Sequence, residues 1–164
     1  MKFSIITASF NPGNKLLFTI KNILEQECQD YEVIVKDGGS KDGALEKLQK
    51  DEAVRQAVLE GKIKTVVQKD RNVYDGMNQA LELCRGEYVL FLNCGDRFHD
   101  GAVLKNVAEE IDKDQGWEKT GPVVYYGNTY CMRTGSMVHS SPEITGFTCY
   151  RNIPCHQSCF YDRR

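Results

Sequence analysis

Short apolar runs and helix-spaced apolar repeats alternate along this chain, and each run stops at a turn rich in Gly, Asn or Asp. KFSIITASF (Lys2–Phe10) is β-branched and aromatic, and Asn11-Pro12-Gly13-Asn14 breaks it. Leu16, Leu17, Ile20, Ile23, Leu24 and Cys28 then recur at the spacing of one helix face. YEVIVKD (Tyr31–Asp37) predicts a second strand, stopped by Gly38-Gly39. A helix is expected from about Lys41, with Leu45 and Leu48 inward, and more helix around Ala53–Leu59. IKTVVQ (Ile63–Gln68) predicts a third strand. Tyr74, Met77, Ala80, Leu81 and Cys84 mark another amphipathic helix, with Gly86 in the usual C-terminal place. EYVLFLN (Glu87–Asn93) is the most apolar strand, which predicts a central position covered on both faces. A helix over about Gly101–Asp112 buries Val103, Leu104, Val107 and Ile111.

Beyond that helix the pattern changes. VVYYGNTYCM, SMVHSS, ITGFTCY and QSCFYD read as short strand-like pieces separated by turns. Alternation followed by strands predicts an α/β sheet, mostly parallel, with a mixed C-terminal part. The 164 residues are the size of one domain, and the break near Lys113–Pro122 reads as a loop within it. FYDRR follows a strand directly with no closing helix, so the chain is expected to be a C-terminally shortened piece of a longer one.

Charge and cysteine content narrow the class. A net charge of -2 argues against a large nucleic-acid footprint but says nothing of a small anionic ligand. No apolar stretch approaches the length of a membrane span, and MKFSIITASFN lacks a signal peptide's long apolar region. The seven cysteines fit neither a paired zinc motif nor a regular disulfide framework, so reduced thiols in a cytoplasmic protein are expected. CHQSC (Cys155–Cys159) is a conceivable metal cluster, but alternation along a strand would aim its ligands to different faces.

In open α/β sheets, ligands bind beyond the C-terminal ends of the parallel strands. Strand one ends at Thr7, Ala8, Ser9 and Asn11, strand two at Asp37, strand three at KDRNVYDGMN (Lys69–Asn78), and strand four at Asn93 and Asp96. Asp37, Asp70, Asp75 and Asp96 thus come to one rim. Crowded carboxylates need donors or a cation, and a divalent metal with a phosphate ligand would supply the cation. Each also has a plain structural reading. Asp37 and Asp42 can build a turn and cap a helix, Asp75 suits a helix start, Asn78 can be solvated surface, and Asp96 can be a turn residue. His99 and His139 read as surface or packing residues. G-x-G-x-x-G and G-x-x-x-x-G-K-[ST] are both missing, so phosphate is better held by a metal than by a glycine cradle.

SIITASFN, QECQDYEVIVKDGGSKDG, KDRNVYDGMNQAL and GEYVLFLNCGDRF stand in the order and spacing of glycosyltransferase family 2, which the chain resembles over its first two-thirds. YDGMN and NCGD look like the branch that builds bacterial cell-surface polysaccharides. The resemblance implies a three-layer, Rossmann-like GT-A fold, with residues 1–100 as the nucleotide-sugar half and residues 101–164 as the start of the acceptor half. It implies a nucleotide-sugar donor (a UDP-sugar), a divalent metal (Mn2+ or Mg2+), inversion at the anomeric carbon, and a glycan or lipid-linked acceptor. Peripheral association with the inner face of the membrane belongs to the same expectation. Carried over by position, Thr7, Ala8 and Asn11 lie beside the nucleoside. Asp37 accepts from the uracil N–H, and Asp70 and Asn78 line the uridine pocket. Asn93 meets the ribose hydroxyls, and Asp96 binds the metal. The family's commoner Asp-x-Asp begins here with Asn93, which leaves Asp96 as the main ligand.

The catalytic base is unassigned. In this family it is an acid from a motif beyond the matched region. HQ (His156–Gln157) resembles a family segment near the acceptor, and His156 has the chemistry of a base. Tyr125, Tyr126, Tyr130 and Tyr150 could stack on sugar rings or pack the core. A different class stays open: a non-catalytic nucleotide-binding or assembly module that keeps the fold.

Overall fold

Every residue of β1 (Phe3–Ser9) and β2 (Tyr31–Asp37) is buried, as strands covered on both faces must be. The computed structural model describes residues 1–114, 121–151 and 153–164. After β1 come α1 (Lys15–Leu24), β2, α2 (Ala44–Lys50), α3 (Glu52–Leu59), β3 (Ile63–Val67), α4 (Val73–Leu81), β4 (Tyr88–Phe91) and α5 (Val103–Lys113). Then follow β5 (Val124–Tyr126), β6 (Thr129–Cys131), β7 (Ser136–Val138), α6 (Gly146–Arg151), a 3-10 turn (His156–Ser158) and β8 (Cys159–Asp162). The main sheet runs β3-β2-β1-β4-β8-β5, and β6 and β7 form a separate hairpin.

β3, β2, β1 and β4 are parallel, while β8 runs antiparallel to both β4 and β5. Side chains alternate between the two faces. On one face Phe3, Ile5, Val33, Val35 and Leu90 meet α1, α2, α3 and α5 through Leu16, Ile20, Leu48, Val54 and Leu104. On the other face Ile6, Ile34 and Val89 meet Ala80 of α4 and Cys84. That is a three-layer arrangement. Strand order reverses at β1, which has β2 on one side and β4 on the other, so the crevice for a ligand opens between the ends of β1 and β4.

Three expectations change. ITGFTCY contains the helix α6 rather than a strand. HQS is a 3-10 turn, so the strand-alternation argument does not apply to Cys155–Cys159. Gly86 does not end α4, which stops at Leu81. Instead its backbone presses on β1, where an added Cβ would lie 2.5 Å from the Phe3 carbonyl carbon. The side chain of Tyr150 lies outside the described residues.

Candidate active site

The turn after β4 is held from below by α1. Thr19 takes the place of a core residue in the apolar stripe of that helix and is fully buried. Its hydroxyl accepts from the Gly95 amide at 2.9 Å and donates to the Asp96 carbonyl at 2.8 Å. One turn on, Asn22 accepts from the Phe98 amide at 2.7 Å. Next along the same face, Gln26 donates to the Asp100 carbonyl at 2.6 Å and accepts from the Leu104 amide at 3.1 Å. A polar stripe at helical spacing thus reads the backbone of residues 95–104 and fixes where Asp96 stands. Gly95 has φ +99, a conformation that suits glycine, and the aliphatic stem of Lys15 lies over it.

Asp96 is partly exposed, and its Oδ2 accepts from Gln157 Nε2 at 3.1 Å. Asn93 Nδ2 lies 3.2 Å from His156 Nε2, while Asn93 Oδ1 is buried without a hydrogen-bond partner. An orphaned buried acceptor beside a carboxylate is costly unless a ligand satisfies it. Asp96 also borders a cavity of about 980 Å3, lined further by Phe18, Tyr125, Tyr126, Tyr130 and Gln157.

The β2 end differs. Asp37 is fully buried. Its Oδ1 accepts from the Gly39 and Ser40 amides at 2.9 and 2.6 Å, and its Oδ2 from the Ser9 and Ser40 hydroxyls, both at 2.6 Å. Burial by itself raises the carboxyl pKa; the Ser40 and Ser9 hydroxyls and the two amides outweigh it and hold the group below its usual 3.8. Four donors fill a carboxylate's acceptor positions, so a uracil N–H could reach Asp37 only by displacing one of them. Asn11, at φ +46, accepts from the Lys41 amide at 2.8 Å, and its own amide donates to Ser40 Oγ at 2.7 Å. Thr7 is fully buried and donates to the Leu92 carbonyl at 2.9 Å, tying β1 to the end of β4; Ala8 is buried beside it. These residues build the rim.

Asp70 stands next to that rim, and its Oδ2 takes the ammonium of Lys36 at 2.9 Å. Asp75 lies in the first turn of α4. It receives the Arg71 amide at 2.9 Å while its own amide donates to the Asn72 side chain, so the structural reading of this acid is the one the fold realises. Asn78 is exposed on α4. Asp42, one residue before the Gly43 N-cap of α2, accepts from the Ala44 amide at 3.1 Å, and it also receives the Gly13 amide at 2.6 Å.

Cys94 feels the charge of both acids. Burial first, then the charges of Asp37 and Asp96, push its thiol up to about 12, so it is a neutral spacer between the acids. Among the described residues, no three of His, Cys, Asp and Glu gather as a metal cluster. At the β4 turn the Asp96 carboxylate is the side chain suited to a metal, and Asn93 Oδ1 is an acceptor left for a hydroxyl. A single carboxylate fits a hard divalent cation that brings most of its shell as water and phosphate oxygen, not a cation caged by protein alone.

Sequence reasoning missed Lys36, Thr19, Asn22 and Gln26. Each left a trace. Lys36 interrupts an apolar strand that has no exposed face. Thr19, Asn22 and Gln26 follow one another at spacings of three and four, the first two inside α1 among core positions and Gln26 just past its end.

The family model for glycosyl transferase family 2 matches residues 4–161, and the chain belongs to that family. It is 30% identical over 163 residues to a PGL/p-HBAD biosynthesis glycosyltransferase of Mycobacterium bovis, covering 98% of this chain and 59% of that protein. It is 32% identical over 117 residues to the poly(ribitol-phosphate) beta-N-acetylglucosaminyltransferase TarP of Staphylococcus aureus, covering 69% of this chain and 35% of the relative. These relatives agree with the expected branch of bacterial surface-glycan assembly. Among solved structures, S. aureus TarS 1-349 in complex with UDP-GlcNAc superposes with a TM-score of 0.77 at 22% identity, over 99% of this chain and 46% of that one. A mannosyltransferase of Pyrobaculum calidifontis in complex with GDP-Man and Mn2+ reaches 0.55 at 24% identity, over 66% and 31%. The fold is the GT-A arrangement expected. The chain spans less than two thirds of the length of these relatives.

Proposed function

We propose that this chain forms the donor-binding part of an inverting glycosyltransferase. It would move a sugar from a nucleotide-sugar, a UDP-sugar, to a glycan or lipid-linked acceptor in bacterial cell-surface polysaccharide synthesis. Its place would be the cytoplasm, at the inner face of the membrane where the acceptor is lipid-linked. The observation that carries the reading is the β4 turn. Asp96, anchored through Thr19, borders an open cavity at the switch point of the sheet, and the buried Oδ1 of Asn93, three residues before it, has no partner. UDP-GlcNAc and GDP-Man in the structural relatives support a nucleotide-sugar of this general kind.

The residues divide the work. The β1, β2 and β3 ends receive the nucleoside, and the β4 turn receives the ribose and diphosphate. Asn93 Oδ1 would accept from a ribose hydroxyl, which removes its unsatisfied state. Asp96 would hold a divalent cation, Mn2+ or Mg2+, which when bound neutralises charge on the departing diphosphate. The Lys15 side chain, lying over Gly95, adds positive charge at the same end. The 980 Å3 cavity beside Asp96 is where an acceptor hydroxyl would approach the anomeric carbon. His156 is turned toward Asn93 and carries no assigned proton-transfer role.

Thermal unfolding with UDP, GDP or CDP, each with and without Mn2+, tests this. UDP with Mn2+ should raise the midpoint most, and Asp96→Ala should abolish the metal-dependent part of the rise. No response to any of the three nucleotides removes the proposal.

A further inference from the structure

Among the described residues, Gln157 is the side chain that holds the carboxylate of Asp96, and the reading above does not use it. It stands in the 3-10 turn His156–Ser158, just before β8. That turn is fastened to its surroundings. The Ser158 amide donates to the Cys155 carbonyl at 2.9 Å, and the Ser158 carbonyl accepts from the Gly127 amide at 3.0 Å. β8 then runs antiparallel to β4, with Phe160 opposite Leu90, so the turn that opens β8 meets the turn that follows β4. Two consecutive side chains span the gap. His156 Nε2 lies 3.2 Å from Asn93 Nδ2, and Gln157 Nε2 donates to Asp96 Oδ2 at 3.1 Å.

The Gln157 amide has a defined orientation. Its Oε1 accepts from the Cys155 thiol, and its NH2 is the end turned to Asp96. The flipped amide would set an oxygen against a carboxylate, two acceptors without a proton between them. Asp96 is therefore held at two points: its main chain by Thr19 of α1, and its side chain by Gln157 of the turn before β8. Only one carboxylate oxygen is used in this way. Oδ1 receives no hydrogen bond from the described residues. Asp96 and Gln157 both line the large cavity, so the pair stands at an open surface and not in the core. A carboxylate that acts as the single protein ligand of a cation loses side-chain freedom on binding unless a neighbour has already fixed it.

We infer that Gln157 is a positioning residue for the cation. It holds Asp96 by Oδ2 and leaves Oδ1 to ligate, so the carboxylate meets a divalent metal already oriented and through one oxygen. The inference rests on the proposed donor site and adds to it the group that orients the metal ligand.

Calorimetric titration of the 164-residue chain with UDP, in Mn2+ and without it, tests this. The ratio of the two affinities measures what the cation adds. The unsubstituted chain should gain affinity in Mn2+, and Asp96→Ala should gain none. Gln157→Met keeps the length of the side chain and removes the N–H. Its gain should be lower by about tenfold, the scale of a lost partner to a metal ligand, while UDP affinity without Mn2+ stays unchanged. Gln157→Glu should move the other way, because its carboxylate offers a hard cation a second ligand, and the gain should rise. A lowered unfolding midpoint with an unchanged gain in both variants makes Gln157 a packing residue and overturns the inference. A larger gain in Gln157→Met means that the amide competes with the cation, and overturns it as well. No gain in the unsubstituted chain overturns the metal role proposed for Asp96, and this inference with it.

Discussion

The end of β2 and the end of β4 both carry an acid at the same crevice, and the protein treats them in opposite ways. Asp37 is buried and receives four donors from its own chain. Asp96 is partly exposed, has one side-chain partner in Gln157, and neighbours an acceptor that has none. A saturated carboxylate holds a loop in shape; an unsaturated one can bind. The backbone around Asp96 is nevertheless as well fixed as that around Asp37, because Thr19, Asn22 and Gln26 hold the main chain and leave the side chains open. Rigidity and vacancy are separated here: the helix supplies one and the strand end the other.

Substitutions at the two ends should therefore fail differently. The largest effect is expected from Asp96→Asn in an enzyme carrying this region. Sugar transfer should drop by about a hundredfold or more, the scale seen when one preorganised electrostatic group is lost, with little change in the unfolding midpoint. A comparable loss of stability would erase the contrast with Asp37. Asp37→Asn should do the reverse. It leaves buried hydroxyl and amide donors facing an amide, at a cost of about 3 kcal/mol in denaturant unfolding.

Acid titration sharpens the same point. The Asp37 carboxyl is held below its usual 3.8 and that of Glu32 below 4.5, the latter because the Ser4 hydroxyl and Arg85 outweigh burial. Groups with depressed pKa values add stability that is complete above those ordinary values and is lost as pH falls through the folded-state values. Stability should thus decline below about pH 4.5, and Asp37→Asn should flatten the lower part of that decline. An unchanged acid limb in the variant would show that Asp37 is not held as described.

Thr19→Val keeps the shape but removes both bonds to the β4 turn, and about 1–2 kcal/mol of stability should go with them. Nucleotide affinity should fall as the turn loosens. The smallest effect on stability is expected at Asn78, exposed on α4: Asn78→Ala should change it by less than about 0.5 kcal/mol, and its effect on UDP binding tests whether Asn78 lines the uridine pocket. A clear loss of binding there would extend the site across α4.

Much of this protein is readable from local pattern alone. Short apolar runs identify β1 to β4, and apolar stripes at helical spacing identify the helices between them, because burial on both faces demands continuous runs and one-sided packing demands a stripe. The same pattern, with the quoted motifs, places Asp37, Asp70, Asn93 and Asp96 at one edge. It does not say which of those acids is free, since hydrogen-bond saturation depends on donors such as Ser9, 28 positions away from Asp37. Nor does it foresee α6 in ITGFTCY, where so short a segment carries almost no periodic signal. The order of elements was set by patterning along the chain. The assignment of each polar side chain to holding or to binding was decided only when helix α1 and strands β1, β2 and β4 came together, because a carboxylate's partners are fixed by proximity in space and not along the chain.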